Sequence, residues 1–373
     1  MKRTVDHSLL DQAKQNRNDE FYTQLCDIER ELANYAGEFR GKTVFCNCDN
    51  PTASNFYRYF VRNFKTLGLK KFICACMGKP GGDLFTPFEP GCFYEYTGVE
   101  KETPTMSDVV SFQGDGDFRS AESIALLKQA DIVVTNPPFS LFRDFIALMM
   151  QYQKKFLVIG NINAITYKEV FGLIQDNKAW MGVNMGRGIS GFIVPEHYEL
   201  YGLEARINDA GERIVSTNNC MWLTNLDLPA RHDFIPLVKT YRGNECEYPR
   251  FDNCDAINVD RTQDIPCDYD GLMGVPITFL HRFNPEQFKI VRFRKGDDQK
   301  DLRIGGKTPY FRILIKRISP SAKVPGISLK EVPTFRREGV RVRTPDRTSA
   351  SRPPCRLKHS NTQTLKHFLS TID

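Results

Sequence analysis

Residues 131–140 read DIVVTNPPFS, and the fold is decided there. Residues 131–134 are mostly apolar and β-branched, the composition of a short strand buried on both faces in the middle of a parallel sheet. The chain then meets Asn136-Pro137-Pro138-Phe139. Proline has no N–H for a sheet ladder and a fixed φ, so two in succession turn the backbone out of the sheet at the strand's carboxyl end. Residues 141–152 (LFRDFIALMMQY) have the apolar spacing of a helix. Strand, turn and helix in this order predict an α/β fold, and open α/β sheets bind ligands at that carboxyl edge.

The tetrad supports a narrow chemistry. An Asn side-chain carbonyl and a proline backbone carbonyl are both acceptors, so side by side they suit an amino group with two hydrogens to donate. A neighbouring aromatic ring suits a flat base. An amine held this way has its lone pair turned out of the ring plane, toward an electrophile. Asn136-Pro137-Pro138-Phe139 resembles motif IV, Asp/Asn/Ser-Pro-Pro-aromatic, of amino-directed S-adenosylmethionine-dependent methyltransferases. The resemblance implies a Rossmann-like sheet closed by an antiparallel strand pair, S-adenosyl-L-methionine as cofactor, and catalytic roles for Asn136, Pro137, Pro138 and Phe139. A kinked loop in an unrelated α/β protein is the bland alternative.

The totals fit a globular chain with room for a large unit and a smaller one: 373 residues, 41% hydrophobic and 26% charged. There is no run of about 18 apolar residues to span a membrane. Residues 1–20 are polar and lack the apolar stretch of a signal peptide. With eleven cysteines, that leads to the expectation of a cytoplasmic protein with reduced thiols. The C-x-C pairs Cys46/Cys48 and Cys74/Cys76 sit in apolar runs and read as packing, so no metal is expected. A site on Cys246, Cys254 and Cys267 is the minor alternative. Charge is uneven, with residues 1–280 at net −8 and residues 281–373 at net +14. A basic C-terminal part on an acidic body is the pattern of a nucleic-acid-binding appendage.

In chain order, residues 18–24 (NDEFYTQ) precede an amphipathic helix predicted over 25–39, with Asp19 or Thr23 as its cap. Residues 42–49 (KTVFCNCD) predict a buried strand, and Ser54-Asn55-Phe56 opens a helix to about residue 67. Strand, turn and helix is where nucleotide-binding α/β folds place a cofactor loop, yet CNCDNPTASNF holds no glycine. That loop and the upstream DEFYTQ resemble a narrower family, the EcoRI-type adenine-specific DNA methyltransferases. The resemblance implies cofactor contacts from Phe21, Thr23, Asn47, Asp49 and Ser54, with Asp49 as partner of the cofactor's ammonium. Residues 70–77 predict the next strand, with Asp83 as a loosely held ribose contact. Residues 84–108 read as irregular, and residues 108–112 as a strand before GDGDFRS. There Asp115 or Asp117, with a slight preference for Asp117, is implied to meet the cofactor's adenine; a plain Asp/Gly turn is the alternative.

A fifth strand is predicted over 154–160, with residues 161–165 implied to line the target-base pocket. Residues 182–188 form a glycine-rich loop that lacks the Lys-Ser/Thr of a phosphate-binding loop, which argues against an ATPase. Segments 189–194, 204–207, 213–216 and 220–226 alternate as strands and predict an antiparallel finish to the sheet, with INDAGERI as a hairpin. The family likeness runs over about residues 18–318 and includes MGVPITFL and KTPYFRILIKRI. Arg187, Arg282, Arg292, Arg294 and Lys295 are expected to meet DNA phosphates.

The organisation expected is a catalytic domain over 1–226, a recognition region over 227–318 and a disordered basic tail over 319–373. The function expected is sequence-specific adenine-N6 methylation of double-stranded DNA by a monomer, with a cognate restriction endonuclease as a candidate partner. Two alternatives stand beside it: an amino-methyltransferase acting on protein glutamine or RNA, and a non-catalytic DNA-binding protein on a degenerate methyltransferase fold.

Overall fold

The computed structural model describes residues 22–79, 87–184, 189–196, 206–208, 210–215, 220–294, 302–309 and 312–318. The chain enters through a two-residue strand β1 (Tyr22–Thr23) and helix α1 (Leu25–Leu32), which tightens into a 3-10 segment over Ala33–Phe39. Strand β2 (Thr43–Cys46) follows, then helices α2 (Asn55–Arg62) and α3 (Phe64–Leu67), which Gly68 ends in the left-handed conformation at φ 62°. Next come β3 (Lys71–Cys76), β4 (Cys92–Tyr96), β5 (Val110–Ser111), helix α4 (Ala121–Gln129), β6 (Ile132–Thr135), helix α5 (Phe142–Gln151), β7 (Lys155–Asn161), helix α6 (Lys168–Gln175) and β8 (Trp180–Met181).

The large sheet has eight strands. Its middle, β3-β2-β6-β7, is parallel, with β4 and β5 antiparallel on one flank; on the other, a later strand β12 (Cys220–Thr224) runs antiparallel to β7 and carries β8 outside it. Strand β2 leads to a neighbour on one side and β6 to a neighbour on the other. The winding therefore reverses between β2 and β6, and a crevice opens at their carboxyl ends. Both strands are buried along their whole length. Their side chains alternate between two cores, Phe45 and Val133 on one face and Val44, Cys46, Ile132 and Val134 on the other, as the two-residue strand period demands. Glycine is required at Gly160 of β7, where a Cβ would lie 2.5 Å from the Phe142 ring of α5.

Strands β9 (Phe192–Val194), β10 (Arg206–Ile207) and β11 (Arg213–Val215) form a separate antiparallel sheet with β1, in the order β1-β9-β11-β10. A third sheet combines β13 (Ala256–Asn258), β14 (Leu272–Pro276), β15 (Phe288–Arg294) and β16 (Arg312–Arg317). It packs on the large sheet through Phe293 against Phe171 of α6, ring centroids 5.0 Å apart.

Four expectations need correction. Residues 92–96 are not irregular: their alternating burial makes β4, paired with β3. Residues 108–112 do not supply an inner strand, since only the exposed pair Val110–Ser111 joins the rim, while Asp108 accepts from Thr105 and Lys101 in a turn. The helix expected over 25–39 is α-helical only to Leu32, and its N-cap is Gln24, with Thr23 already in β1. Of the strands expected to finish the large sheet, only β12 does so. The INDAGERI hairpin exists, pairing Ile207 with Arg213, but it belongs to the small sheet. Alternation marks a half-buried strand without saying which sheet it joins.

Candidate active site

A closed circuit of contacts gathers most of the sequence-predicted residues at the crevice. After β2 the chain turns on Asn50, whose side-chain carbonyl accepts from the Thr52 N–H (2.9 Å) and hydroxyl (2.8 Å) and whose backbone carbonyl accepts from Ser54 N–H (2.8 Å). That side-chain turn makes the bend without glycine: no residue of 47–54 has positive φ. Ser54 then caps α2, accepting from Phe56 N–H at 3.0 Å, while its hydroxyl donates to Asp49 Oδ1 at 2.8 Å. The other Asp49 oxygen accepts from the Thr135 hydroxyl at 2.6 Å, and the Asn136 N–H is directed at the same carboxylate. A single carboxyl group therefore ties the end of β2 to the end of β6, where the proline tetrad begins.

The circuit continues through the tetrad. Pro137 is buried and Asn136, Pro138 and Phe139 are half-buried, with Leu141 N–H on the Pro138 carbonyl at 3.0 Å opening a short 3-10 turn before α5. Phe139 meets Phe192 of β9 edge to face at 6.1 Å between centroids. Phe192 lies opposite Thr23 in the β1–β9 pair, and the Thr23 carbonyl accepts from Asn55 Nδ2 at 2.9 Å, which returns to the start of α2. Thr23 and Asn47 are both 4% exposed. Thr23 Oγ1 and Asn47 Nδ2 are buried without a hydrogen-bond partner among the described residues, a costly state for a polar atom unless a ligand supplies the partner.

Burial pushes the Asp49 carboxyl up to about 6, against the three donors from Thr135, Ser54 and the Asn136 backbone, which favour its charged form. Burial also raises the Cys46 and Cys48 thiols well above their ordinary value, so neither is a ready thiolate nucleophile.

The Asp115-Gly116-Asp117 turn reaches the same edge. The Asp115 carbonyl accepts from Gly78 N–H at 2.8 Å just beyond β3, and Asp117 contributes to the electrostatic field at Cys48. Gly116 has φ 76°, and a Cβ there would lie 2.8 Å from the Cys76 carbonyl, so glycine is obligatory. Asp117 is engaged by Arg119 through Nη2 at 2.7 Å and Nε at 2.9 Å, bonds that hold its carboxyl below the usual range against the effect of burial. Asp115 Oδ1 accepts from the Asp117 N–H at 3.0 Å.

The remaining expectations fall elsewhere. Arg282 and Arg292 are exposed, Arg292 on β15 of the third sheet, where Arg294 is its last residue. Phe21, Asp83, Arg187, Lys295 and the tail over 319–373 lie outside the described residues. Sequence reasoning missed Thr135 and Phe192. Thr135 had a signal, as the last residue before the tetrad; Phe192 had only its place in an alternating segment.

The family model described as "Adenine-specific methyltransferase EcoRI" matches residues 9–318. Type II methyltransferase M.EcoRI of Escherichia coli is 59% identical over 320 residues, 85% of this chain and 98% of the relative. A Type II methyltransferase of Mycoplasma genitalium is 38% identical over 323 residues, covering 82% of this chain and 97% of the relative. Type II methyltransferase M.MpnI of Mycoplasma pneumoniae is 37% identical over 327 residues, with the same coverage. No solved structure gives a significant match.

Proposed function

Because the chain belongs to the family of EcoRI-type adenine-specific methyltransferases, we propose that it methylates the N6 amino group of adenine at a specific sequence in double-stranded DNA, using S-adenosyl-L-methionine. The observation that carries this reading is the carboxylate of Asp49, held by Thr135 at 2.6 Å and Ser54 at 2.8 Å. On this reading the residue suited to the cofactor's ammonium lies one step from the tetrad suited to the adenine amine. The eight-stranded sheet, reversing at β2 and β6 and closed by β12 and β8, is then the Rossmann-like sheet of this enzyme class.

The residues present fit the cofactor. Asp49 offers a carboxylate for an ammonium, a charge-assisted bond. Thr23 Oγ1 and Asn47 Nδ2 are buried polar atoms lacking a partner among the described residues, and Ser54 fixes the carboxylate from the start of α2. Asp115 and Asp117, in the turn bonded to Gly78 just beyond β3, would supply the carboxylate that accepts from the cofactor's adenine amine. Asp115 is the better placed of the two, because Arg119 already occupies Asp117. When bound, the cofactor supplies an electrophilic methyl group on a sulfonium.

The chain's own part is binding and orientation. A target adenine inside a duplex is out of reach and must be extruded at a cost of a few kcal/mol. The Asn136 side-chain carbonyl and the Pro137 carbonyl accept the two amine hydrogens; the Pro138 carbonyl is already taken by Leu141 N–H. Phe139, backed by Phe192, offers its ring to the base. Catalysis then comes from positioning and from excluding water around the amine, with no covalent step on cysteine. The third sheet and the 3-10 segment Ile277–Arg282 between β14 and β15, with Arg292 and Arg282 exposed, are the proposed recognition region, where basic side chains meet backbone phosphates. The Type II name of the relatives makes a cognate restriction endonuclease the partner to look for.

Incubation with methyl-labelled cofactor and duplex DNA, RNA or protein tests the reading. Label on DNA adenine supports it, and label on RNA or glutamine, or none, overturns it.

A further inference from the structure

Far from the tetrad in sequence, a cavity of about 240 Å³ opens between the outer edge of the large sheet and the segment that leads into the third sheet. Trp180 of β8 and Arg231 line it, together with Asp233, Phe234, His281 and Arg282. Arg231 is buried, at 9% exposed, whereas Asp233, Phe234, His281 and Arg282 are exposed and form the mouth.

Arg231 is held in place by neutral partners. Its guanidinium carbon lies 3.5 Å from the centroid of the Trp180 ring, and Nη2 donates to the Asn177 side-chain carbonyl. The tryptophan is fixed in turn by its indole N–H on the Leu226 carbonyl at 2.9 Å. Among the described residues Arg231 makes no ion pair, and its buried Nε has no hydrogen-bond partner. Asp227 acts on Arg231 through space, its carboxylate being bonded to His232, which also bridges to Glu286. Burial lowers the Arg231 pKa to about 10, so the group remains a cation at neutral pH. A buried, stacked guanidinium with no carboxylate in hydrogen-bond contact among the described residues is an expensive arrangement that an anion relieves. Arginine's planar fork matches the oxygens of a phosphate.

We infer that this cavity is an oxyanion site that takes a phosphate group on Arg231, with Arg282 at its mouth as the second cation. The site is separate from the crevice, and the inference does not rest on the methyl-transfer reading. The phosphate has two sources, the backbone of a bound duplex or a free phosphate compound.

The test uses the full chain at constant ionic strength, titrated with inorganic phosphate against chloride while tryptophan emission, from Trp180 and Trp222, and the unfolding temperature are followed. Saturable phosphate binding with a rise in unfolding temperature is expected, with chloride inactive. Arg231→Met should weaken phosphate binding at least tenfold and, in phosphate-free buffer, leave the unfolding temperature at or above that of the original chain. Arg282→Ala, at the exposed mouth, should weaken binding severalfold without affecting folding. S-adenosylmethionine binding, unchanged in both variants, reports an intact crevice. Displacement of phosphate by a short duplex assigns the site to the DNA backbone, and its absence assigns it to a free phosphate; either outcome upholds the site. Absence of saturable phosphate binding overturns the inference. So does a fall in the Arg231→Met unfolding temperature that is equal with and without phosphate, because that outcome makes the arginine a structural element only.

Discussion

Asp49→Asn separates what the crevice costs the empty protein from what it gives the loaded one. Moving the Asp49 carboxyl from its ordinary 3.8 up to about 6 means that the folded state binds a proton more tightly than the unfolded chain. Below about 3.8 the group is neutral in both states and the penalty vanishes; above about 6 it is fully charged in the fold and the penalty is complete, about 3 kcal/mol. About half of that is recovered on lowering the pH from about 8 to about 5. The asparagine has no such dependence. Its amide can still use the Thr135 and Ser54 hydroxyls, which donate or accept. The substitution should therefore stabilise the cofactor-free protein at pH 8 relative to the original chain, and the advantage should shrink by about half at about pH 5. Cofactor affinity should move the other way. Loss of the partner for a buried ammonium, worth about 2–4 kcal/mol, weakens binding about 30-fold or more. Denaturant melts at the two pH values and calorimetric titration with S-adenosylmethionine measure both. A difference in stability between the two proteins that is the same at both pH values, or cofactor affinity equal to that of the original chain, would refute the reasoning.

Four further outcomes are expected. Asn136→Ala should lower methyl transfer at least about 100-fold while cofactor affinity stays within about threefold, since in the proposed roles it removes a contact to the base and none to the cofactor; calorimetry beside single-turnover assays checks this. Thr135→Val removes a donor that favours the charged Asp49, so the pH below which cofactor binding weakens should rise, as seen in titrations across pH. Gly160→Ala drives a methyl group into the Phe142 ring and should destabilise the fold by about 1–3 kcal/mol in denaturant melts. Truncation after Ile318, where the family match ends, should leave methyl transfer intact; a folded but inactive product assigns the tail a role.

The legible parts of this chain were those where local chemistry leaves one solution. Ile132–Thr135 had to be a doubly buried strand, because four apolar or β-branched residues run into two prolines. The helix opening at Ser54-Asn55-Phe56 was readable from a strand followed by a capping residue type. What escaped depended on partners distant in sequence. Cys92–Tyr96 alternates as a strand should, but its place beside β3 rests on tertiary pairing. Phe192 reaches the tetrad because a three-residue strand pairs with Tyr22–Thr23 across the chain. The bond from Thr135 to Asp49 spans 86 residues. Arg231 gave no signal at all, since an arginine in a polar, proline-spotted stretch normally faces solvent.

The measurement closest to the central claim is the position of the transferred methyl group, read by nucleoside mass spectrometry and strand sequencing of DNA treated with the original chain and with Asn136→Ala. The account predicts N6-methyladenine within a single sequence context for the original chain and its loss in the variant, with cofactor binding retained. Methyl groups on cytosine, or adenine methylation undiminished by Asn136→Ala, would contradict it.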